Sequence, residues 1–207
     1  MSYDFFVFPA HEATDLATAT DLYEASPERG VLTPGSPVAD FVAAVRDSDV
    51  LSEEVAAHDG AAYVCTAWTD PMANLRVVAD LARPHSLAVL DLQLAALYDP
   101  RGALDVALDT EAGPRLTYLT QTILAMVMSH IAELRYHWVN ISSEPGVYAQ
   151  AYRDEDGSWA VEHRERTTGR LFLARTTDAP LVEELLWSWA RGDGRWQARL
   201  AFAPVEL

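Results

Sequence analysis

Apolar residues recur along this chain with two periods. Tyr3-Asp4-Phe5-Phe6-Val7-Phe8 is a mostly apolar run closed by Pro9, the pattern of a strand buried on both faces. Leu16, Ala17, Thr20 and Tyr23 predict a helix, followed by a loop at Ser26-Pro27-Glu28-Arg29-Gly30. Ser36-Pro37 announces a second helix, in which Val38, Phe41, Val42 and Val45 repeat at i, i+3, i+4 and i+7. Ala62-Tyr63-Val64-Cys65 reads as a strand. Asp70-Pro71 then starts a helix bearing Leu75, Val78, Ala79 and Ala82, and Leu87-Ala88-Val89-Leu90 is a further strand. Strand, helix and strand in succession imply a split α/β layer. Leu94 to Asp99 and Leu104 to Leu108 read as a hairpin around Pro100-Arg101-Gly102.

From Pro114 to His137 runs the longest apolar-periodic segment, with Leu116, Leu119, Ile123, Val127, Ile131 and Leu134 at helical spacing. This predicts a long helix joining two halves. Its other face carries Tyr118, Leu124, Met126 and Met128, so it either lies between two sheets or lends part of itself to a dimer contact.

The last third alternates with period two. Trp138-Val139-Asn140-Ile141 precedes the turn Glu144-Pro145-Gly146, and Val147 to Tyr152 places Tyr148, Gln150 and Tyr152 on one face and Val147, Ala149 and Ala151 on the other. Asp154-Glu155-Asp156-Gly157 and Thr168-Gly169 supply turns, with Trp159 to Arg164 and Leu171 to Ala174 as further arms of a meander. Asp178 caps a closing helix, Pro180 sits in its first turn and Gly192 ends it; Val182, Leu185, Leu186 and Trp189 form its apolar stripe. Trp196, Ala198, Leu200 and Phe202 alternate as a final strand. The expected fold is α+β: an acidic N-terminal split α/β layer over residues 1–112, then the long connecting helix and an antiparallel meander closed by an amphipathic helix over 113–207.

Half of the 207 residues are hydrophobic, enough for a substantial core. No apolar run is long enough to span a bilayer, and the start lacks the basic-then-apolar pattern of a secretory signal, so a cytoplasmic location is expected. Cys65 is the single cysteine, which excludes an internal disulfide and a multi-cysteine zinc site; beside Tyr63, Val64 and Trp68 it reads as a small buried hydrophobe, and the tryptophans read as core. All fifteen basic residues are arginine, a pattern that fits codon bias in a GC-rich genome.

The formal net charge is −16, and residues 1–137 hold 20 acidic against 7 basic side chains, whereas 138–207 hold 11 against 8. Such a surplus argues against direct nucleic-acid binding and suits a basic protein partner. Asp47, Asp49, Glu53, Glu54 and Asp59 lie in a stretch between Arg46 and Arg76 that contains no basic residue. They form either a solvated acidic loop or an electrostatic contact surface.

His130, Glu133 and His137 fall at i, i+3 and i+7, a spacing that would bring two imidazoles and a carboxylate to one side of a helix as a metal site needs. Asp4, Asp91 and Asp99 sit in or after strands, where paired acids can serve acid–base chemistry. Phosphate-binding glycine loops, nucleophile elbows and dinucleotide fingerprints are absent.

Four stretches carry a family likeness. They are Met1-Ser2-Tyr3-Asp4-Phe5-Phe6-Val7-Phe8, Leu87-Ala88-Val89-Leu90-Asp91, Tyr148-Ala149-Gln150 followed by Glu162, and Trp189-Ala190-Arg191-Gly192 before Trp196. In these the chain resembles a loose family of small acidic actinobacterial proteins, some of which are similar to immunity proteins encoded beside polymorphic toxins. That resemblance implies no cofactor and no catalytic residues, but neutralisation of a toxin domain by binding. The contact surface would then come from the acidic 47–59 segment and the Tyr148, Gln150 and Tyr152 face, in a monomer or homodimer. The alternatives are a metal-dependent hydrolase using His130, Glu133 and His137, and an oligomeric scaffold formed through the long helix.

Overall fold

A computed structural model describes residues 2–26, 32–48, 54–58, 60–133 and 135–205. Within them the chain is a mixed α+β protein with five α-helices and two antiparallel sheets. It divides into two compact units, Met1–Gly102 and Ala103–Leu207.

In the first unit the strand order is β2 (Val55–His58), β3 (Ala61–Ala67), β1 (Ser2–Pro9), β4 (Leu87–Asp91) and β5 (Ala96–Tyr98). The unbroken apolar run of β1 is explained by its place: Phe5, Phe6, Val7 and Phe8 are all fully buried because both faces of the central strand are covered. Phe6 lies opposite Tyr63 and Leu90, and Phe8 opposite Ala88. On that face they pack with Ala19, Leu22 and Tyr23 of α1 (Leu16–Ala25). Phe5 and Val7 face the other way, where α2 (Pro37–Arg46) and α3 (Pro71–Ala82) bury the stripes their spacing predicts. Strands β3 and β4 flank antiparallel β1 on its two edges, and α3 lies between them in the chain.

The second unit is a six-stranded meander ordered β11 (Ala203–Pro204), β10 (Leu171–Thr176), β9 (Trp159–Arg164), β8 (Val147–Arg153), β7 (Trp138–Glu144) and β6 (Ala107–Thr110). Helices α4 (Gln121–Ala132) and α5 (Ala179–Ala190) pack on each other and on its middle strands. Val182, Leu185 and Leu186 of α5 are buried, each worth roughly 1.5–3 kcal/mol. Asp178 accepts from the Leu181 N–H at 3.0 Å to cap α5, and Gly192, at φ 67°, ends it in the left-handed region that glycine adopts freely.

Four expectations are corrected. The helix predicted over 114–137 spans only Gln121–Ala132 and lies within the second unit. Leu116 and Leu119 instead bridge Leu108 and Leu104 in extended pairing, and Thr120 caps the helix through the Ile123 N–H. At its other end Arg153 of β8 donates to the carbonyls of Ile131 and Ala132, so the last turn is satisfied from outside and the chain can leave. The hairpin around Pro100-Arg101-Gly102 does not form: β5 pairs with β4 and β6 pairs with β7. Trp196 to Phe202 is not a strand, since Arg195–Ala198 is a turn of 3-10 helix and only Ala203–Pro204 pairs with β10. Lastly, the acidic stretch contains β2, which the charge pattern hid.

Gly113 reports how tightly this unit is closed. A Cβ added there would lie 2.5 Å from Tyr136 Cζ and 2.8 Å from Thr110 Oγ1, and Tyr136 is buried. Gly113→Ala is therefore expected to destabilise the second unit by about 1–3 kcal/mol, the usual cost of overpacking, as measured by urea denaturation.

Candidate functional site

The period-two pattern of β8 sorts its side chains by chemistry. Ala149 and Ala151 are buried and lie in register with Val139, Ile141 and Val161 on the face that α4 and α5 cover. Tyr148, Gln150 and Tyr152 therefore stand together on the opposite face, with Tyr152 40 % exposed and the other two half-buried. Register carries that face across four strands as a polar row, Asp109, Asn140, Gln150 and Glu162. Gln150 donates its amide N–H to the Glu162 carboxylate, which fixes both side chains. At the β7–β8 turn, Ala107, Asn140, Ser142 and Tyr148 line a shallow basin. Among the described residues the side-chain oxygen of Asn140 has no hydrogen-bond partner within the protein.

Charge on this face is largely internally balanced. Arg115 pairs with Asp109 at 3.0 Å, Arg166 with Glu144 at 2.7 Å, and Arg175 with Asp154. Such exposed pairs contribute little stability but leave the aromatic and amide groups as the face's distinctive chemistry. The charge surplus lies elsewhere: the first unit carries 16 acidic and 5 basic residues, a net of −11, and the second 15 and 10, a net of −5. Of the acidic segment, Asp47 caps the C-terminus of α2 and Glu54 precedes β2, both exposed. Asp49, Glu53 and Asp59 lie outside the described residues.

His130, Glu133 and His137 are not brought together. His130 is on α4 with Nδ1 3.2 Å from the Tyr136 hydroxyl, Glu133 is the C-cap and pairs with Arg135 at 3.0 Å, and His137 stands just before β7 with Nδ1 2.7 Å from Glu111. Three side chains thus serve three partners, because the helix ends before it can stack them. Among the described residues no group of three or more His, Cys, Asp or Glu converges as a metal site would require.

The three aspartates do not converge either. Asp91 shares the Phe5 face of the first sheet, whereas Asp4 shares the Phe6 face. Asp91 is fully buried, accepts from the Tyr3 hydroxyl at 2.7 Å and from the N–H groups of Gln93 and Leu94, and burial raises its pKa. Asp99 is held by the Arg101 guanidinium. Cys65 is half-buried. Trp159 and Trp196 are core, as expected, whereas Trp68 is 47 % exposed and lies against Tyr3.

Sequence reasoning missed the packing of His163. It sits on β9 in a ring of Phe172, Trp196 and Phe202, with centroids at 5.0, 4.4 and 5.0 Å. Burial lowers its pKa, against a smaller opposing pull from Glu165. The folded pKa then lies below the unfolded value of about 6.5, so the neutral ring's contribution is complete above that pH and is lost as pH falls through the folded pKa. Wild type is expected to lose more thermal stability than His163→Phe when acidified below roughly pH 6.5, as followed by Trp fluorescence.

These features define a two-unit α+β protein with an open aromatic and amide sheet face. No described helix is long and apolar enough to cross a membrane. No family model, curated protein or solved structure matches the chain.

Proposed function

We propose that this chain is a non-catalytic binding protein of the immunity type, acting in the cytoplasm to neutralise a basic toxin domain by covering its active site. The observation that carries this reading is the open sheet face, on which Tyr148, Gln150 and Tyr152 are presented away from the helices that bury Ala149 and Ala151. Tyrosine is favoured at interface hot spots because it offers a large, stiff surface together with a hydroxyl. The net −11 of the first unit supplies the second ingredient, long-range attraction that speeds the approach of a cationic domain.

The experiment is co-expression with a basic toxin domain, taken from a neighbouring reading frame where one is encoded there. Cells expressing that domain alone are expected to stop growing, and the wild-type chain restores growth. Growth arrest that persists with the chain present at equal abundance contradicts the proposal.

A further inference from the structure

The last turn of α5 and the bend behind it enclose a cleft of about 150 Å³. Glu184, Trp187, Ser188 and Arg191 stand at i, i+3, i+4 and i+7 and so line it from one helix face, while Arg195 and Trp196 close it from the 3-10 turn. The turn is locked in place. The Ser188 hydroxyl donates to Asp193 and accepts from the Trp196 N–H at 3.1 Å, and Asp193 accepts from the Arg195 N–H at 3.0 Å. Trp196 is braced from behind by His163.

Charge inside the cleft is unequal. Arg199 places its guanidinium on Glu184, with one N–H donating at 2.8 Å, and the two cancel. Arg191 and Arg195 are exposed; hydrogen bonds to Ser188 and the Arg195 N–H lower the pKa of Asp193 and the charges of both arginines add to this, but among the described residues neither guanidinium is in a direct hydrogen bond or salt bridge. With Asp193 counted, three arginines face two carboxylates, a net of one positive charge in a chain whose total is −16. Charges more than about 8 Å away are screened at physiological ionic strength, so the charges that line the cleft weigh most on what enters.

We propose that this cleft binds a carboxylate carried on one apolar group of about ring size. The planar forks of Arg191 and Arg195 match a carboxylate in geometry, and a single negative charge matches the cleft's net charge. Trp187 offers the flat surface for the attached group. At about 150 Å³ the cleft takes a group near the size of benzene, and whatever carries that group extends out through the open side. A free aromatic acid and the terminal residue of a polypeptide share this chemistry. The site is separate from the sheet face argued above and does not depend on it.

Calorimetric titration of the full chain tests this with four probes: benzoate, a short peptide ending in phenylalanine with a free carboxylate, phenyl phosphate, and neutral benzyl alcohol. At least one carboxylate is expected to bind about tenfold tighter than benzyl alcohol, and Arg191→Gln with Arg195→Gln to remove that advantage. Tighter binding of benzoate identifies a free acid, and tighter binding of the peptide a polypeptide terminus. Circular dichroism of the double variant is expected to be unchanged, because both side chains are exposed. Trp187→Ala is expected to weaken benzoate while leaving its preference over benzyl alcohol. Carboxylates that bind no better than benzyl alcohol, binding unaffected by the arginine substitutions, or a clear preference for phenyl phosphate would each overturn the assignment.

Discussion

Replacing Phe6 by alanine is expected to lower the stability of the first unit by about 3–5 kcal/mol, the range for deleting a fully buried aromatic ring. Phe6 sits at the middle of the central strand, and its ring meets Phe8 at 5.3 Å, Tyr63 at 5.1 Å and Tyr23 at 5.5 Å. It therefore ties β1, β3 and α1 together from one position. Removing it leaves a cavity that two strands and a helix cannot all close, because the strands are held in register by their own ladders. Against a typical total of 5–15 kcal/mol, this is a large share. Urea denaturation gives the value, and a loss below about 1 kcal/mol would show that the ring is not the keystone its burial implies.

The second large effect concerns binding. Tyr148→Ala with Tyr152→Ala is expected to weaken the complex with a basic partner by about 4 kcal/mol, roughly a thousandfold, if each tyrosine acts as a hot spot. The fold is expected to survive, since Tyr152 is exposed and Tyr148 half-buried, and the buried Ala149 and Ala151 are untouched. The loss falls on the dissociation rate, as expected of centrally buried contacts. Asp47→Asn with Glu54→Gln should behave differently: association slows and its salt dependence shrinks, while dissociation changes little. The contrast separates steering by the acidic unit from contact by the sheet face.

How much of this was legible in the sequence depended on whether one local pattern had a single reading. The stripes of α2 and α3, the two-sided burial of β1 and the alternation of β8 were unambiguous, because each repeats at one period and is bounded by a cap or a turn. Leu116 and Leu119 misled because a spacing of three also occurs in an extended segment, here one whose two leucines bridge Leu108 and Leu104. The stop signal after Ala132 was unreadable, since it is Arg153, twenty-one residues away, that takes up the helix carbonyl. The separation of β5 from β6 was hidden because β5 turns back onto β4 whereas β6 finds its partner, β7, only beyond α4, and a Pro-Arg-Gly turn signal does not say which pairing follows. Of the candidate site, the grouping of Tyr148, Gln150 and Tyr152 could be read from alternation alone. The dispersal of His130, Glu133 and His137 could not, because it follows from where the helix ends.

The most direct measurement is a calorimetric titration of this chain into a basic toxin domain whose growth arrest it relieves, at two salt concentrations. A one-to-one complex is expected, one that weakens as salt rises and is lost when Tyr148 and Tyr152 are both alanine. No heat of binding, or an affinity indifferent to those two residues, would contradict it.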